Sequence, residues 1–132
     1  VRSKQELPSE GWYVHPTITY DIPIETPLLK SELFGPLAHV ISVKDEQDAV
    51  AVANAVSFGL TASIHTQNLT NALKMANELE TGIVKVNAPT AGVDFYAPFG
   101  GIKDSSYGMR EQGKAAMDFY TFTRTISMHE SK

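Results

Sequence analysis

Apolar residues recur along this chain with two periods, and the switches between them mark its elements. Residues 11–20, from Gly11-Trp12-Tyr13-Val14 to Ile18-Thr19-Tyr20, are rich in aromatic and β-branched side chains that suit a strand. Pro16 cannot donate to a ladder, so it splits this run into two short strands or makes it an edge. Trp12 is expected to pack against neighbours. Residues 21–30, with Pro23 and Pro27, read as a loop, and Ala38 to Val43 reads as a buried strand. Asp45 can then cap a helix by accepting an orphan backbone N–H. Ala49, Val52, Ala53 and Val56 form one stripe of that helix, and Gly59 suits its left-handed stop. Thr61 to Thr66 is the next strand. Asn68 or Thr70 caps a second helix, in which Ala72, Met75, Ala76 and Leu79 repeat the stripe before Gly82. Ile83 to Asn87 is a third strand. Strand, helix, strand, helix, strand at this spacing predicts two βαβ crossovers and a parallel sheet. A further helix is expected over Met109 to Tyr120. Phe122, Arg124, Ile126 and Met128 then alternate with threonines and a serine as a terminal strand.

Composition narrows the picture. The chain has 132 residues, 42% hydrophobic and 20% charged, which is ordinary for one globular domain. Its net charge of −4 argues against nucleic acid, whose partners carry a basic face. No run of about eighteen apolar residues offers a membrane span. Val1 to Glu6 is polar and lacks the apolar core of a signal peptide, so a cytoplasmic setting is expected. Cysteine is absent, which removes disulfides, thiolate ligands and a cysteine nucleophile from this chain. The histidines, at positions 15, 39, 65 and 129, have no metal-ligand spacing, and no metal is expected.

Two stretches carry candidate chemistry. Ser31-Glu32-Leu33-Phe34-Gly35-Pro36 puts one carboxylate and one aromatic ring at an elbow that enters a strand. A carboxylate accepts two hydrogen bonds from a vicinal diol such as a ribose, and an aromatic ring packs against a flat base. The pair suits a nucleotide; a solvated Glu32 beside a core Phe34 is the plainer alternative. The second stretch is the long segment from Ala88 to Gly108, punctuated by Pro89, Gly92, Pro98, Gly100 and Gly101. Loops of that length are usually functional or disordered, and Phe95, Tyr96 and Phe99 favour order. In open parallel sheets, ligands collect beyond the carboxyl ends of the strands, which is where Asn87 and the residues after it fall. Lys103, Arg110 and Glu111 could hold an anion, although such charges more often form a surface or inter-subunit pair.

Four segments, in order, resemble the aldehyde dehydrogenase superfamily. Ser31 to Pro36 is similar to its Glu-Ile-Phe-Gly-Pro segment, and Phe58-Gly59-Leu60 with Ala62 to its Tyr-Gly-Leu-x-Ala step. Gly82 to Asn87 is similar to its Gly-x-x-x-Val-Asn strand. Pro98-Phe99-Gly100-Gly101-Ile102-Lys103, with Gly108-x-Arg110-Glu111-x-Gly113, is similar to its late loop and helix start. Residues 89–96 and 105–113 further resemble the subgroup of α-ketoglutarate semialdehyde (2,5-dioxovalerate) dehydrogenases. The chain departs from that subgroup at Asp94-Phe95-Tyr96-Ala97, where the relatives often have Asp-Tyr-His.

The resemblance implies a C-terminal part of a catalytic domain over residues 1–132, with a parallel βαβαβ sheet and an oligomerisation strand at 121–128. It implies an enzyme that oxidises an aldehyde to a carboxylic acid with NAD or NADP and works as a homo-oligomer. The nucleophilic cysteine and general-base glutamate are implied to lie upstream, so no catalytic residue is expected in this chain and the chain alone is expected to be inactive. Glu32 is implied to bind the nicotinamide ribose and Phe34 to pack near the nicotinamide. Phe99 is implied to line the substrate pocket, and Asn87 and Thr90, at the strand end and in the loop after it, are expected to line the same pocket. An assembly module without catalysis, derived from the same family, is the competing expectation.

Overall fold

The computed structural model describes residues 1–131. Parallel strand pairs and short helices make the mixed α/β architecture. The first strand, β1 (Thr17–Tyr20), begins directly after Pro16, so only the second half of the aromatic run pairs. The N-terminal segment folds back on it: Ile18 donates its backbone N–H to Val1 at 2.7 Å. Trp12 is 103% exposed, so it packs on nothing in this chain, contrary to expectation. Residues 27–30 form a single turn of helix, α1 (Pro27–Lys30), where a loop was expected. Proline at its first position is tolerated because that N–H has no partner in a helix anyway.

The second strand, β2 (Leu37–Val40), lies parallel to β1 with Thr17 opposite Leu37 and Tyr20 opposite Val40. The next helix, α2 (Glu46–Asn54), is capped as the sequence predicts: Asp48 donates its backbone N–H to the Asp45 carboxylate at 2.9 Å. The Asp48 carboxylate in turn accepts from the Lys44 backbone at 3.0 Å. The two-residue strand β3 (Phe58–Gly59) follows, then β4 (Thr61–Ile64). The third helix, α3 (Leu69–Glu78), is capped by the Asn68 side chain and leads to β5 (Ile83–Val86). β4 and β5 run parallel, Thr61 opposite Ile83 and Ile64 opposite Val86, with α3 as the crossover. This is the βαβ unit that the spacing predicts. The preceding crossover is not closed by hydrogen bonds, because β2 pairs with β1 and not with β4. The strands therefore form three two-stranded sheets, the last being β3 against β6 (Ile102–Lys103), antiparallel.

The core is small. Val50 of α2, Ile64 of β4 and Ala72 of α3 are its buried apolar side chains. Asn54 joins the ends of α2 and α3: its amide donates to Glu78 O at 2.9 Å, and its carbonyl accepts from the Glu80 N–H at 2.8 Å. The stripe of α2 faces open hollows. Ala49 and Ala53 look across a groove to Ile64, Met75 and Leu79, while Val52 and Val56 look toward Ile24, Leu29 and Ile41. The accessible surface is 10806 Å². A compact monomer of 14.4 kDa exposes about 6,800 Å². The excess, roughly 4,000 Å² on that scaling, is apolar in large part, because many of the large hydrophobic side chains stand exposed.

Two glycines have a use that the sequence did not reveal. Gly59 does not terminate α2, which ends at Asn54 with Ala55 as its cap. It lies buried in β3, where an added Cβ would meet Ile102 Cγ1 at 2.9 Å. Gly82 similarly lies against the Gly100-Gly101 backbone, with no room for a Cβ, the Gly101 Cα being only 2.7 Å from where it would sit. These contacts let the late loop lie directly on the strand ends.

The last part of the chain differs from expectation twice. The final helix, α4 (Ala115–Tyr120), is only six residues long. Residues 109–114 are drawn out of it because Glu111 exchanges both backbone hydrogen bonds with Phe99, at 2.6 and 2.8 Å. Gln112 and Gly113 take left-handed backbone angles of 64° and 54°, which end a right-handed helix. Residues 121–131 are exposed and form no strand. A strand is defined by its ladder, and no other segment among the described residues pairs with this one.

Candidate active site

The elbow is built by its flanks. The Ser31 N–H donates to Pro27 O at 3.0 Å and closes α1. The Leu37 N–H donates to Gly35 O at 2.8 Å, and the Thr17 N–H to Pro36 O at 2.9 Å, which fixes the elbow to the start of the β1–β2 pair. Glu32 and Phe34 share a hollow of about 280 Å³ with Leu28, Leu29, Leu37 and His39. His39 is held within it by a 2.6 Å hydrogen bond between its Nδ1 and Thr19 Oγ1. The Phe34 ring is 91% exposed, which excludes the plainer alternative of a core phenylalanine within this chain. Glu32 is exposed too. Among the described residues the ion pairs are Lys30 with Glu25 and Lys103 with Glu80, so the Glu32 carboxylate is unpaired. An unpaired carboxylate beside an exposed ring fits a ribose and its attached flat base: the carboxylate accepts from the hydroxyls and the ring offers an apolar face.

A second hollow, also about 280 Å³, is bounded by Leu60, Ile83, Thr90, Val93, Phe99 and Gln112. It brings Thr90 and Phe99 together. Leu60 and Gln112 were missed, because nothing in a strand-like Leu or a helix-like Gln signals a pocket. Asn87 does not line this hollow. Its amide is spent on Thr66, accepting from the Thr66 N–H at 2.9 Å and donating to the Thr66 carbonyl at 2.9 Å. Its own backbone is left-handed, with φ of 54°, a conformation asparagine tolerates better than most residues. Asn87 thus staples the ends of β4 and β5 together, below the loop that carries Thr90.

At the tip of that loop, Phe95 and Tyr96 stand exposed and meet edge to face, 5.6 Å between ring centres. Tyr96 donates its hydroxyl to Asp94 at 2.9 Å. That hydrogen bond, together with the charge of the carboxylate, raises the phenol above its ordinary pKa. The charges farther along are committed to structure. Lys103 pairs with Glu80 and donates to Asn54 O at 2.8 Å and Val56 O at 3.0 Å. Arg110 donates to Gly101 O. Lys103 has no donor left over, whereas Arg110 keeps further N–H groups beyond this one bond.

The paired strands and short helices define a mixed α/β domain that carries two surface hollows, one at the elbow and one beside the glycine-rich loop. The chain matches the model of the aldehyde dehydrogenase family over residues 2–126 and belongs to that family. It is 44% identical over 116 residues to the α-ketoglutaric semialdehyde dehydrogenase of Bacillus subtilis, covering 88% of this chain and 24% of that one. Among solved structures, aldehyde dehydrogenase 21 from Physcomitrella patens, in complex with the reaction product succinate, superposes with a TM-score of 0.75 at 35% identity, over 84% of this chain and 23% of that one. The Mycobacterium tuberculosis aldehyde dehydrogenase complexed with NAD+ gives 0.73 at 31% identity, over 83% and 22%. The chain therefore spans about a quarter of the length of the relatives it matches.

Proposed function

We propose that this chain is the part of an NAD(P)-dependent aldehyde dehydrogenase that orients the nicotinamide ribose and walls the aldehyde pocket. The observation that carries the reading is the unpaired, exposed Glu32 carboxylate sharing a hollow with the exposed Phe34 ring. NAD(P)+, when bound, supplies the hydride acceptor. Glu32 accepts from the ribose hydroxyls, Phe34 covers the flat face nearby, and Thr90 and Phe99 limit where the aldehyde can lie. The substrate class is an aldehyde that also carries a carboxylate. This is supported by the likeness to an α-ketoglutaric semialdehyde dehydrogenase and to an enzyme crystallised with succinate. The full-length protein carrying this chain is expected to reduce NAD+ in the presence of 2,5-dioxopentanoate, followed at 340 nm. Failure to oxidise that compound, succinic semialdehyde or any other small aldehyde, with NAD+ or NADP+, would overturn the reading.

The excess surface favours a second role in assembly. Residues 121–128 place Phe122, Ile126 and Met128 in the open, each more than 70% exposed, on a segment whose backbone has no ladder partner. Backbone groups without a ladder partner are a template for pairing, and large exposed apolar patches drive association. The chain on its own is expected to scatter light as a dimer or larger at micromolar concentration. A mass of 14.4 kDa that does not change on dilution would show that this segment pairs with nothing.

A further inference from the structure

We propose that Lys85 is a positioning residue of the aldehyde pocket, fixing the loop segment that faces Phe99. Lys85 sits in β5 opposite Ser63, flanked by Val84 and Val86. It is a half-buried charge in an otherwise apolar strand, and sequence pattern assigns it no role. Its ammonium donates to Ala91 O at 2.8 Å and to Gly92 O. No carboxylate pairs with it among the described residues, where the ion pairs are Lys30–Glu25 and Lys103–Glu80. Two successive loop carbonyls therefore take the place of a counter-ion. Those carbonyls belong to the stretch Thr90 to Val93, which has no regular structure of its own and lines the hollow shared with Phe99. Gly92 is in the left-handed region, with φ of 74° and open space around it, so local packing does not hold it there. The ammonium is the one side-chain donor among the described residues that ties this turn to the sheet.

The clamp lets one strand residue set the width of the hollow without touching what enters it. Lysine suits the task because its charge strengthens each bond to a carbonyl and its three donors can serve two adjacent acceptors. Methionine has a similar stem and no donor, so Lys85→Met should keep the strand and release the loop. Lys85→Arg keeps donors and charge and should restore the clamp in part.

The inference rests on the proposed aldehyde pocket, and the test separates the two. In the full-length protein, Lys85→Met is expected to raise the KM for the aldehyde about ten-fold, in keeping with the loss of charge-assisted bonds that position a wall. The kcat and the KM for NAD+ should change by no more than about two-fold, and Lys85→Arg should recover most of the loss. Hydrogen–deuterium exchange over residues 89–93 should be faster in Lys85→Met than in the wild type. An aldehyde KM within about two-fold of wild type in Lys85→Met, or unchanged exchange over 89–93, overturns the proposal. A wild type that oxidises no aldehyde overturns the functional reading, and exchange then decides alone whether Lys85 positions the loop.

Discussion

The 132-residue chain by itself is expected to form no NADH from any aldehyde. Oxidation of an aldehyde by this family, as the sequence resemblance implies, passes through attack by a cysteine thiolate, and this chain has no cysteine. A hydroxyl could substitute only if a base stood ready to take its proton. Thr19 Oγ1 lies 2.6 Å from His39 Nδ1 at the elbow, and Ser63 Oγ lies 3.0 Å from His65 Nε2. The Ser63 Oγ donates to Ala88 O at 2.5 Å, so its proton is already directed at a carbonyl, and the imidazole can only donate to it. Ser127 and His129 lie 3.2 Å apart on the exposed end of the chain, with no acid behind the histidine. None of these pairs lines the hollow that holds Thr90 and Phe99. The assay is absorbance at 340 nm with purified chain, NAD+ or NADP+ and a panel of semialdehydes. NADH or NADPH formation that scales with chain concentration and is absent from a mock purification would refute the prediction.

How far the fold could be read from sequence depended on whether its determinants were local. Asp45 and Asn68 announced the two main helices because a capping side chain acts within three residues of itself. The unit from β4 through α3 to β5 was legible because the helical stripe and the strands on either side follow one another without interruption. Pairing partners were not legible. Nothing in Leu37 to Val40 says that its neighbour is Thr17 to Tyr20 and not Thr61 to Ile64; that choice is made by the Pro36 carbonyl and the turn at Gly35. Gly59 and Gly82 look in sequence like helix stops. Their reason for being glycine is chain that lies far along the sequence, Glu80 and Ile102 against Gly59 and the Gly100-Gly101 backbone against Gly82, which no local reading can supply. The helix expected over 109–120 lost half its length to a long-range bridge between Phe99 and Glu111.

The site shows the same division. Glu32 and Phe34 were picked out because carboxylate, ring and Gly-Pro turn sit within six residues, and the structure leaves both side chains open to solvent in one hollow. Phe99 was picked out through the family resemblance and Thr90 by its place in the same loop, and the two line one hollow. Asn87 was expected in the pocket on its strand-end position alone, and its amide turned out to be engaged by the Thr66 backbone. Lys85 could not be found at all, since a lysine in a strand looks like a surface residue until the carbonyls that it binds are in view.

In the full-length protein, Glu32→Gln is expected to slow aldehyde oxidation by about 10- to 150-fold while leaving NAD+ affinity much less changed. The magnitude is that of one charge-assisted hydrogen bond, roughly 1.5–3 kcal/mol. Glutamine keeps the length and volume of glutamate, so the hollow with Leu28, Leu37 and Phe34 retains its shape. What goes is the charge, and with it the ability to accept from both hydroxyls of a diol, because one amide end can only donate. Glu32 would reach only the ribose hydroxyls of a dinucleotide, so binding is expected to survive the change. Orientation of the nicotinamide does not, and a misplacement of about 1 Å costs on the order of 100-fold in rate. Glu32 makes no ion pair among the described residues, so the substitution strands no buried charge and should leave folding intact. Steady-state turnover and NAD+ binding by fluorescence titration give the two numbers. A variant with wild-type turnover would mean that Glu32 is a surface carboxylate, whereas equal losses in turnover and affinity would mean that it binds the cofactor without orienting it.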